Sequence, residues 1–295
     1  ANLGVVHMRQ GRYEQAAEHY RGALPLFRET GDRVGEARTL THLGLVNWRQ
    51  GRYQQAAERH RQALTRYRET GTRVGEANAL SNLGLVSWRQ GRYREAAEGH
   101  QQALILYRET GYRFGEANAL ANLGVVYLRQ GRYEQAADDL RHALTLFRET
   151  GNRVGVGYAL ANLGVVNLRQ GRYEQAADDL RHALTVFRET GDRDGEAEAL
   201  NRMGETSHAT GQSEQARVQH AAALALAVET GDRYQQARAH AGLAHTRHAA
   251  GEHGLARQHW QHALTLYTDL GVPDANDVRA HLAALGRIAE DSGGD

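Results

Sequence analysis

Glycine recurs along this chain every 40 residues, in two series that are offset from each other by 20 residues. The first series is Gly11, Gly51, Gly91, Gly131, Gly171, Gly211 and Gly251, and the second is Gly31, Gly71, Gly111, Gly151, Gly191, Gly231 and Gly271. A period between about 20 and 50 residues is typical of small units that bury their apolar faces by stacking on one another. The spacing therefore predicts a repeat protein with an extended surface.

Each half of the period has the apolar spacing of a helix. Apolar or small residues three and four apart form one stripe in each half, as Leu80 with Leu83 and Ala103 with Tyr107 illustrate. Each period is then a helical hairpin, and both glycine series are predicted to cap helix C-termini, where a positive φ suits glycine. The residues predicted to cap the next helix N-terminus are Asp32, Thr72, Asn152, Asp192 and Asp232.

Composition favours an all-α fold and excludes several classes of function. The 295 residues include only two prolines and no cysteine, which excludes disulfides and thiolate metal sites. No apolar run reaches the roughly 18 residues of a membrane span, and no secretory leader is visible, so we expect a cytoplasmic protein that binds no membrane. Because 36 basic residues face 35 acidic ones, direct nucleic-acid binding is not expected.

A recurring pair of residues in the first helix indicates a family. The pairs are Leu3-Gly4, Leu43-Gly44, Leu83-Gly84, Leu123-Gly124 and Leu163-Gly164, with the variants Met203-Gly204 and Leu243-Ala244. An alanine lies twelve residues after each, and the pattern resembles the tetratricopeptide repeat, although the period is 40 instead of 34 and the usual proline is missing. Long repeats of this kind resemble those of cell-polarity adaptors that bind GoLoco peptides and those of bacterial signalling and transcription regulators.

The resemblance implies an all-α, right-handed α-solenoid, or superhelix, of about seven such hairpins plus a C-terminal capping helix. We expect a single domain over residues 1–290. The repeats are expected at residues 1–34 (partial), 35–74, 75–114, 115–154, 155–194, 195–234 and 235–274, with a capping helix at 277–290 and a disordered tail at 291–295. Pro25 is expected to kink its helix. Because the chain starts at Ala1, two residues before the first Leu-Gly pair, we interpret it as a fragment of a longer protein.

The resemblance also implies a concave groove, lined by the first helices, that binds a protein or peptide. The positions five before, one before, two after and six after each leucine of the pair share one helix face, opposite the packed one. One row on this face holds Asn2, His42, Asn82, Asn122, Asn162 and Arg202, and a second holds Arg9, Arg49, Arg89, Arg129 and Arg169. Asn78 and Asn118 add amides, and Trp48 and Trp88 flank the rows.

These side chains predict the chemistry of the ligand. An amide matches the donors and acceptors of a peptide main chain, and an arginine fork suits carboxylates, so we expect an extended, acidic peptide. In the resembled adaptors, asparagines directly before the Leu-Gly pair contact the peptide, which implies that role for Asn2, Asn82, Asn122 and Asn162. Repeat duplication alone also copies residues, and the arginines lie near helix C-termini, where a cation is favourable without a ligand. Asparagine is a poor helix former, which favours the binding role.

Three hypotheses on function follow. The first is a non-catalytic binding module without a cofactor, the sensor or regulatory part of a larger bacterial signalling or transcription-regulatory protein. The second is self-association through the repeats. The third is a metal site, since nine of 16 histidines follow residue 200, among them His208, His245 and His248, but no carboxylate on the same helix face completes a ligand set. Packing or surface roles are favoured for these histidines.

Overall fold

The structure, a computed structural model, describes the backbone of residues 2–9 and 12–291 and the side chains of residues 3–8 and 12–285. Its regular secondary structure is helical throughout these ranges. The helices are α1 (Asn2–Arg9), α2 (Tyr13–Glu29), α3 (Arg33–Arg49), α4 (Tyr53–Glu69), α5 (Arg73–Arg89), α6 (Tyr93–Thr110), α7 (Arg113–Arg129), α8 (Tyr133–Glu149), α9 (Arg153–Arg169), α10 (Tyr173–Thr190), α11 (Arg193–Ala209), α12 (Ser213–Thr230), α13 (Arg233–Ala249), α14 (His253–Leu270) and α15 (Asp274–Asp291).

The helices form hairpins in which an odd-numbered first helix precedes an even-numbered second helix. The chain divides into an N-terminal unit, residues 1–151 with α1 to α8, and a C-terminal unit, residues 152–295 with α9 to α15. In the N-terminal unit α5 contacts its own partner α6, the preceding second helix α4 and the neighbouring first helices α3 and α7. Each unit is a stack of hairpins, which confirms the predicted all-α solenoid class; the single domain over residues 1–290 stays a prediction.

The predicted caps account for most helix ends. All the glycines of the two series except Gly11, which lies outside the described residues, have φ between 64° and 77° and close a helix. Asp32 accepts the Gly35 N–H at 2.8 Å, and the equivalent bonds of Asn152 and Asp192 are 3.0 and 2.9 Å. Asp232 accepts from two backbone amides. The prediction for Thr72 was wrong, because its hydroxyl pairs with that of Thr70 at 2.8 Å and caps no amide.

The glycine of the Leu-Gly pair lets the two helices of a hairpin approach closely. A Cβ at Gly44 would lie 2.5 Å from the His60 ring, and one at Gly124 would lie 2.6 Å from Cγ of Leu140. The buried side chain that covers this glycine in the first six hairpins is, in order, Tyr20, His60, His100, Leu140, Leu180 and His220. In the seventh hairpin alanine replaces the glycine, and the equivalent buried residue of the second helix is Trp260. In each hairpin one large buried residue packs against one small residue, and this contact sets how the two helices align along their length.

Helix boundaries differ from the predicted ones at several points. The hairpins begin at Arg33 and its equivalents, two residues before the expected repeat boundaries. The C-terminal helix begins at Asp274 instead of residue 277, because Pro273 accepts the Asn276 N–H at 2.9 Å and so forms its first turn. It includes Asp291, and residues 292–295 of the expected disordered tail lie outside the described residues.

Pro25 does not end its helix, because α2 continues through this residue to Glu29. No helix among the described residues is both long enough and apolar enough to cross a membrane.

Candidate functional site

The face predicted to bind a ligand lies on the accessible side of the first helices. In the N-terminal unit His42, Asn82 and Asn122 are half-buried and the following arginines are exposed, whereas Leu80 and Ser87, on the opposite side, are buried. We call this surface the first-helix face and define it by the positions five before, one before, two after and six after each leucine. The side chains of Asn2 and Arg9 lie outside the described residues.

The amides on this face differ in how far their hydrogen bonds are already used. Asn82 and Asn122 have no hydrogen-bond partner within the described residues. Asn78, in contrast, accepts the Tyr107 hydroxyl at 2.7 Å, and Asn118 donates to the Phe114 carbonyl at 2.9 Å. Asn82 and Asn122 therefore have the greatest capacity for a ligand.

In the second hairpin His42 takes the place of the asparagine, and its side chain packs against a neighbouring aromatic ring. Its ring stacks on that of Tyr20 at 5.0 Å between centroids, with 10° between the planes. Burial and then the nearby charge of Arg38 lower the pKa of His42. The imidazole is thus neutral at pH 7 and belongs to the packing of the face.

Tryptophan and arginine stack on each other in the second and third hairpins. The Arg89 guanidinium lies 5.1 Å from the ring centroid of Trp48 and 5.0 Å from that of Trp88, and Arg49 lies 5.4 Å from Trp48. Next to Trp48 a cavity of about 260 Å³ is lined by Met8, Leu45, Arg49, His60, Asn82 and Leu85. These arginines and tryptophans were predicted to lie on this face, but their stacking was not predicted.

The N-terminal unit holds no free carboxylate on its first helices within the described residues. Each of α3, α5 and α7 contains a single acidic residue, Glu36, Glu76 or Glu116, and α1 contains none. All three glutamates are buried. Glu36 pairs with three arginines, of which Arg28 is nearest at 2.9 Å, and Glu76 and Glu116 each pair with two.

In the N-terminal unit the arginines of the first-helix face, unlike these glutamates, are not neutralised by an ion pair in the described part of the chain. Arg49, Arg89 and Arg129 are exposed and form no ion pair within the described residues. Since the acidic residues of the same helices are already neutralised, the first-helix face of the N-terminal unit carries an uncompensated positive charge.

Two arginines on the equivalent face of the C-terminal unit, Arg202 and Arg238, are paired within that unit. The Arg202 side chain is only 11 % exposed and donates to the Ala161 carbonyl at 2.7 Å, to Asn162 Oδ1 at 3.0 Å and to Glu198. Asn162 and Arg202 are therefore partners of each other, unlike the free asparagines of the N-terminal unit. Arg169 is exposed, like its equivalents.

A second ion pair on this face escaped the sequence analysis. Arg238 donates from Nε and Nη2 to the two carboxylate oxygens of Glu205 at 2.6 and 2.8 Å. Burial alone would raise the pKa of Glu205, but the charge and hydrogen bonds of Arg238 hold it at about 2. Register could have found both residues, because Glu205 stands two after Met203 and Arg238 five before Leu243.

A comparison with known protein families identifies this repeat architecture. The tetratricopeptide repeat profile matches residues 1–69, 75–149 and 156–229. The chain belongs to the tetratricopeptide repeat family. Comparison with curated proteins gives no match.

Solved structures share the tetratricopeptide fold at low sequence identity. The apo form of RapI is 17% identical with a TM-score of 0.76, over 91% of this chain and 96% of that one. A Rap protein in complex with Competence and Sporulation Factor is 14% identical with a TM-score of 0.65, over 87% of this chain and 76% of that one. A signal transduction ATPase with a tetratricopeptide repeat sensor, from Pyrococcus horikoshii, is 16% identical with a TM-score of 0.68, over 97% of this chain and 43% of that one. This tetratricopeptide repeat chain has the fold of a protein-interaction scaffold.

The histidines of the last tetratricopeptide hairpins meet in pairs. The Nδ1 atoms of His240 and His259 are 2.9 Å apart, those of His248 and His253 are 3.2 Å apart, and the ring of His245 lies 4.7 Å from that of His281. Within the described residues no group of three or more histidine, aspartate or glutamate side chains could hold a metal ion. The clustering of histidines is visible in the sequence, whereas their pairing between helices is visible only in the structure.

Proposed function

We propose that the first-helix face of the N-terminal unit binds an extended, acidic segment of another protein. The observation that carries the proposal is the charge balance of α3, α5 and α7, whose glutamates are buried and paired while Arg49, Arg89 and Arg129 are exposed and unpaired. An arginine fork accepts a carboxylate in bidentate geometry. The amides of Asn82 and Asn122 are available for the main chain of the segment.

The C-terminal unit offers a different surface for recognition. Its arginines Arg202 and Arg238 are neutralised by Glu198 and Glu205, and breaking a partly buried pair to bind another carboxylate has an unfavourable free energy. We therefore assign the acidic segment to the N-terminal unit alone.

A charge-reversed variant tests the assignment. The probe is a fluorescein-labelled decapeptide in which glutamate and serine alternate around a central leucine, and its binding is measured by fluorescence anisotropy. We expect Arg49→Glu, Arg89→Glu and Arg129→Glu together to weaken binding at least tenfold, since each exposed charge pair contributes about 0.2–1 kcal/mol and each reversal adds repulsion.

The matched control reverses three exposed arginines of second helices, Arg21, Arg94 and Arg148, so that both triple variants have the same net charge. We expect the control variant to bind the probe almost as the wild type does. Equal weakening in both variants, or equal binding of a probe with glutamine in place of glutamate, would contradict the proposal.

We further propose that this module is the sensor region of a larger signalling protein in the cytoplasm. The proposal is supported by the archaeal signal transduction ATPase, whose tetratricopeptide repeat sensor shares the fold. Reading the coding sequence around this segment tests it: an ATPase or DNA-binding domain in the same reading frame is expected, and a frame without any such domain would overturn it. The absence of catalysis and of direct nucleic-acid binding stays a prediction.

One observation favours self-association as a second function, through α12. Val218 and Val228 are 55% and 61% exposed, and Ala221, Ala222 and Ala225 are exposed between them. At the position of Val218 the other second helices carry Glu18, Glu58, Glu98, Asp138, Asp178 and Gln258, and at that of Val228 they carry Arg28, Arg68, Arg108, Arg148, Arg188 and Thr268. This apolar stripe is nearly symmetric about its centre, so two antiparallel copies of α12 would place Val218 of one beside Val228 of the other.

Sedimentation velocity over a wide range of concentrations tests the self-association of α12. We expect the wild type to dimerise as its concentration rises and the double variant Val218→Glu, Val228→Arg, which restores the charges of the other repeats, to stay monomeric. A monomeric wild type, or a double variant that dimerises as the wild type does, would rule out this interface.

A further inference from the structure

The cavity beside Trp48 has the size and lining of a pocket for one side chain. Its volume of about 260 Å³ is below the range of roughly 300–1,000 Å³ typical of small-molecule sites. Met8, Leu45 and Leu85, from the three successive first helices α1, α3 and α5, supply its apolar lining. A side chain that entered it would therefore contact three hairpins at once.

The rim of this pocket is charged and held in place. Arg89 stacks on both Trp48 and Trp88, and Arg49 stacks on Trp48, so ring contacts restrict the two guanidinium groups while leaving their N–H edges without a carboxylate. Asn82 lies on the same lining and has an amide without a partner in the described residues. Apolar floor and cationic rim together suit a bulky apolar side chain next to an acidic one.

Two buried donors at this place also lack an acceptor. The indole Nε1 atoms of Trp48 and Trp88 are buried and have no hydrogen-bond partner within the described residues. Buried N–H groups in proteins are nearly always paired with an acceptor. A peptide carboxylate or carbonyl held by Arg49 and Arg89 would bring such an acceptor.

The aromatic residue beside this pocket is not conserved along the repeat array. The residue at the position of Trp48 and Trp88 is Met8, Leu128, Leu168, His208 and His248 in the other hairpins. At this position tryptophan occurs only in the second and third hairpins, and Arg89 of the third hairpin stacks on both of these rings. Near-identical repeats have diverged here, which distinguishes this pocket from the rest of the face.

We propose that this tryptophan-arginine pocket anchors one bulky aliphatic side chain of the bound segment, with the adjacent acidic side chain on Arg49 and Arg89. The inference rests on the proposed function, because the pocket lies on the face assigned to the acidic segment. With this pocket, the module selects a segment in which an aliphatic residue is flanked by carboxylates, and negative charge alone does not account for binding.

The test compares the probe decapeptide with a second one in which alanine replaces the central leucine, at equal charge. We expect the wild type to bind the leucine probe about tenfold more tightly, as burial of one aliphatic side chain predicts. In Trp48→Leu, which introduces the residue of the fourth and fifth hairpins, that ratio should fall to about one while affinity for the alanine probe is retained. The tryptophan emission of the wild type should also change on binding the leucine probe.

A second variant guards against misfolding of the first. Leu85→Ala enlarges the pocket, and we expect it to shift preference from the leucine probe to one with phenylalanine at the same position. Equal binding of the leucine and alanine probes by the wild type would overturn the pocket but leave the acidic face intact. Failure of both probes to bind would overturn the face and the pocket together, and a leucine preference that survives in both variants would also exclude the pocket.

Discussion

Lowering the pH from 7 to 5 is expected to destabilise the protein by about 2 kcal/mol for each of three buried histidines, His60, His100 and His220. Burial lowers the pKa of all three to about 4, from 6.5 in the unfolded chain. Below pH 6.5 these histidines are therefore protonated in the unfolded state but remain neutral in the folded state until the pH approaches 4. Stability is retained above about pH 7 and is lost as the pH falls from 6.5 towards 4.

The chain itself supplies the variant that tests this cause. Leu140 and Leu180 occupy the position of His60 in the fourth and fifth hairpins and pack on the equivalent glycines at similar distances. We expect His60→Leu to remove about 2 kcal/mol of the loss at pH 5, and to be neutral or stabilising at pH 7, because the His60 Nδ1 is buried without a partner.

Amide hydrogen exchange in α4 at pH 7 and pH 5 measures the local free energy of unfolding, which suits an array whose segments open separately. The control is His142→Leu, in which the replaced imidazole is exposed to water. It should leave the loss between pH 7 and pH 5 as it is in the wild type. An unchanged loss in His60→Leu would show that other groups cause the acid sensitivity.

Replacing Gly124 by alanine is expected to destabilise the fourth hairpin by about 2 kcal/mol. The added Cβ would lie 2.6 Å from Cγ of Leu140 and 3.2 Å from the Ala136 carbonyl oxygen, and neither neighbour is the end of a flexible chain. Overpacking of this kind lowers the free energy of unfolding by about 1–3 kcal/mol, which exceeds the stabilisation that comes from the higher helix propensity of alanine.

The matched control for Gly124→Ala is Gly22→Ala. Gly22 lies inside α2, and a Cβ there would meet nothing within 4 Å. Urea denaturation should therefore show Gly22→Ala to be more stable than the wild type by about 0.5–1 kcal/mol. If both variants gained stability, close approach of the helices at the Leu-Gly pair would not limit the packing.

A structural property of this protein can be predicted from the sequence when it depends only on residues close to one another in the chain. The capping glycines and Asp32 act within a single turn, so spacing alone identified them, whereas the failure at Thr72 comes from a competing hydroxyl two residues away. Helix boundaries near Asp274 were displaced by three residues, because the first turn used Pro273 as an acceptor. The direction of the first-helix face followed from helical periodicity, and the accessibility of Asn82 and Asn122 agrees with it.

By itself the sequence determined the hairpin array, its period, the family and the residues that line one face of the first helices, because each of these follows from repeated local patterns. Only the tertiary structure decided which of those residues remain available. Arg202 and Asn162 bond to each other across neighbouring helices, while Arg89 stacks between two tryptophans. The physical reason is that partners about 40 residues apart in sequence become neighbours only after the hairpins stack, and charge compensation or its absence is set at those contacts.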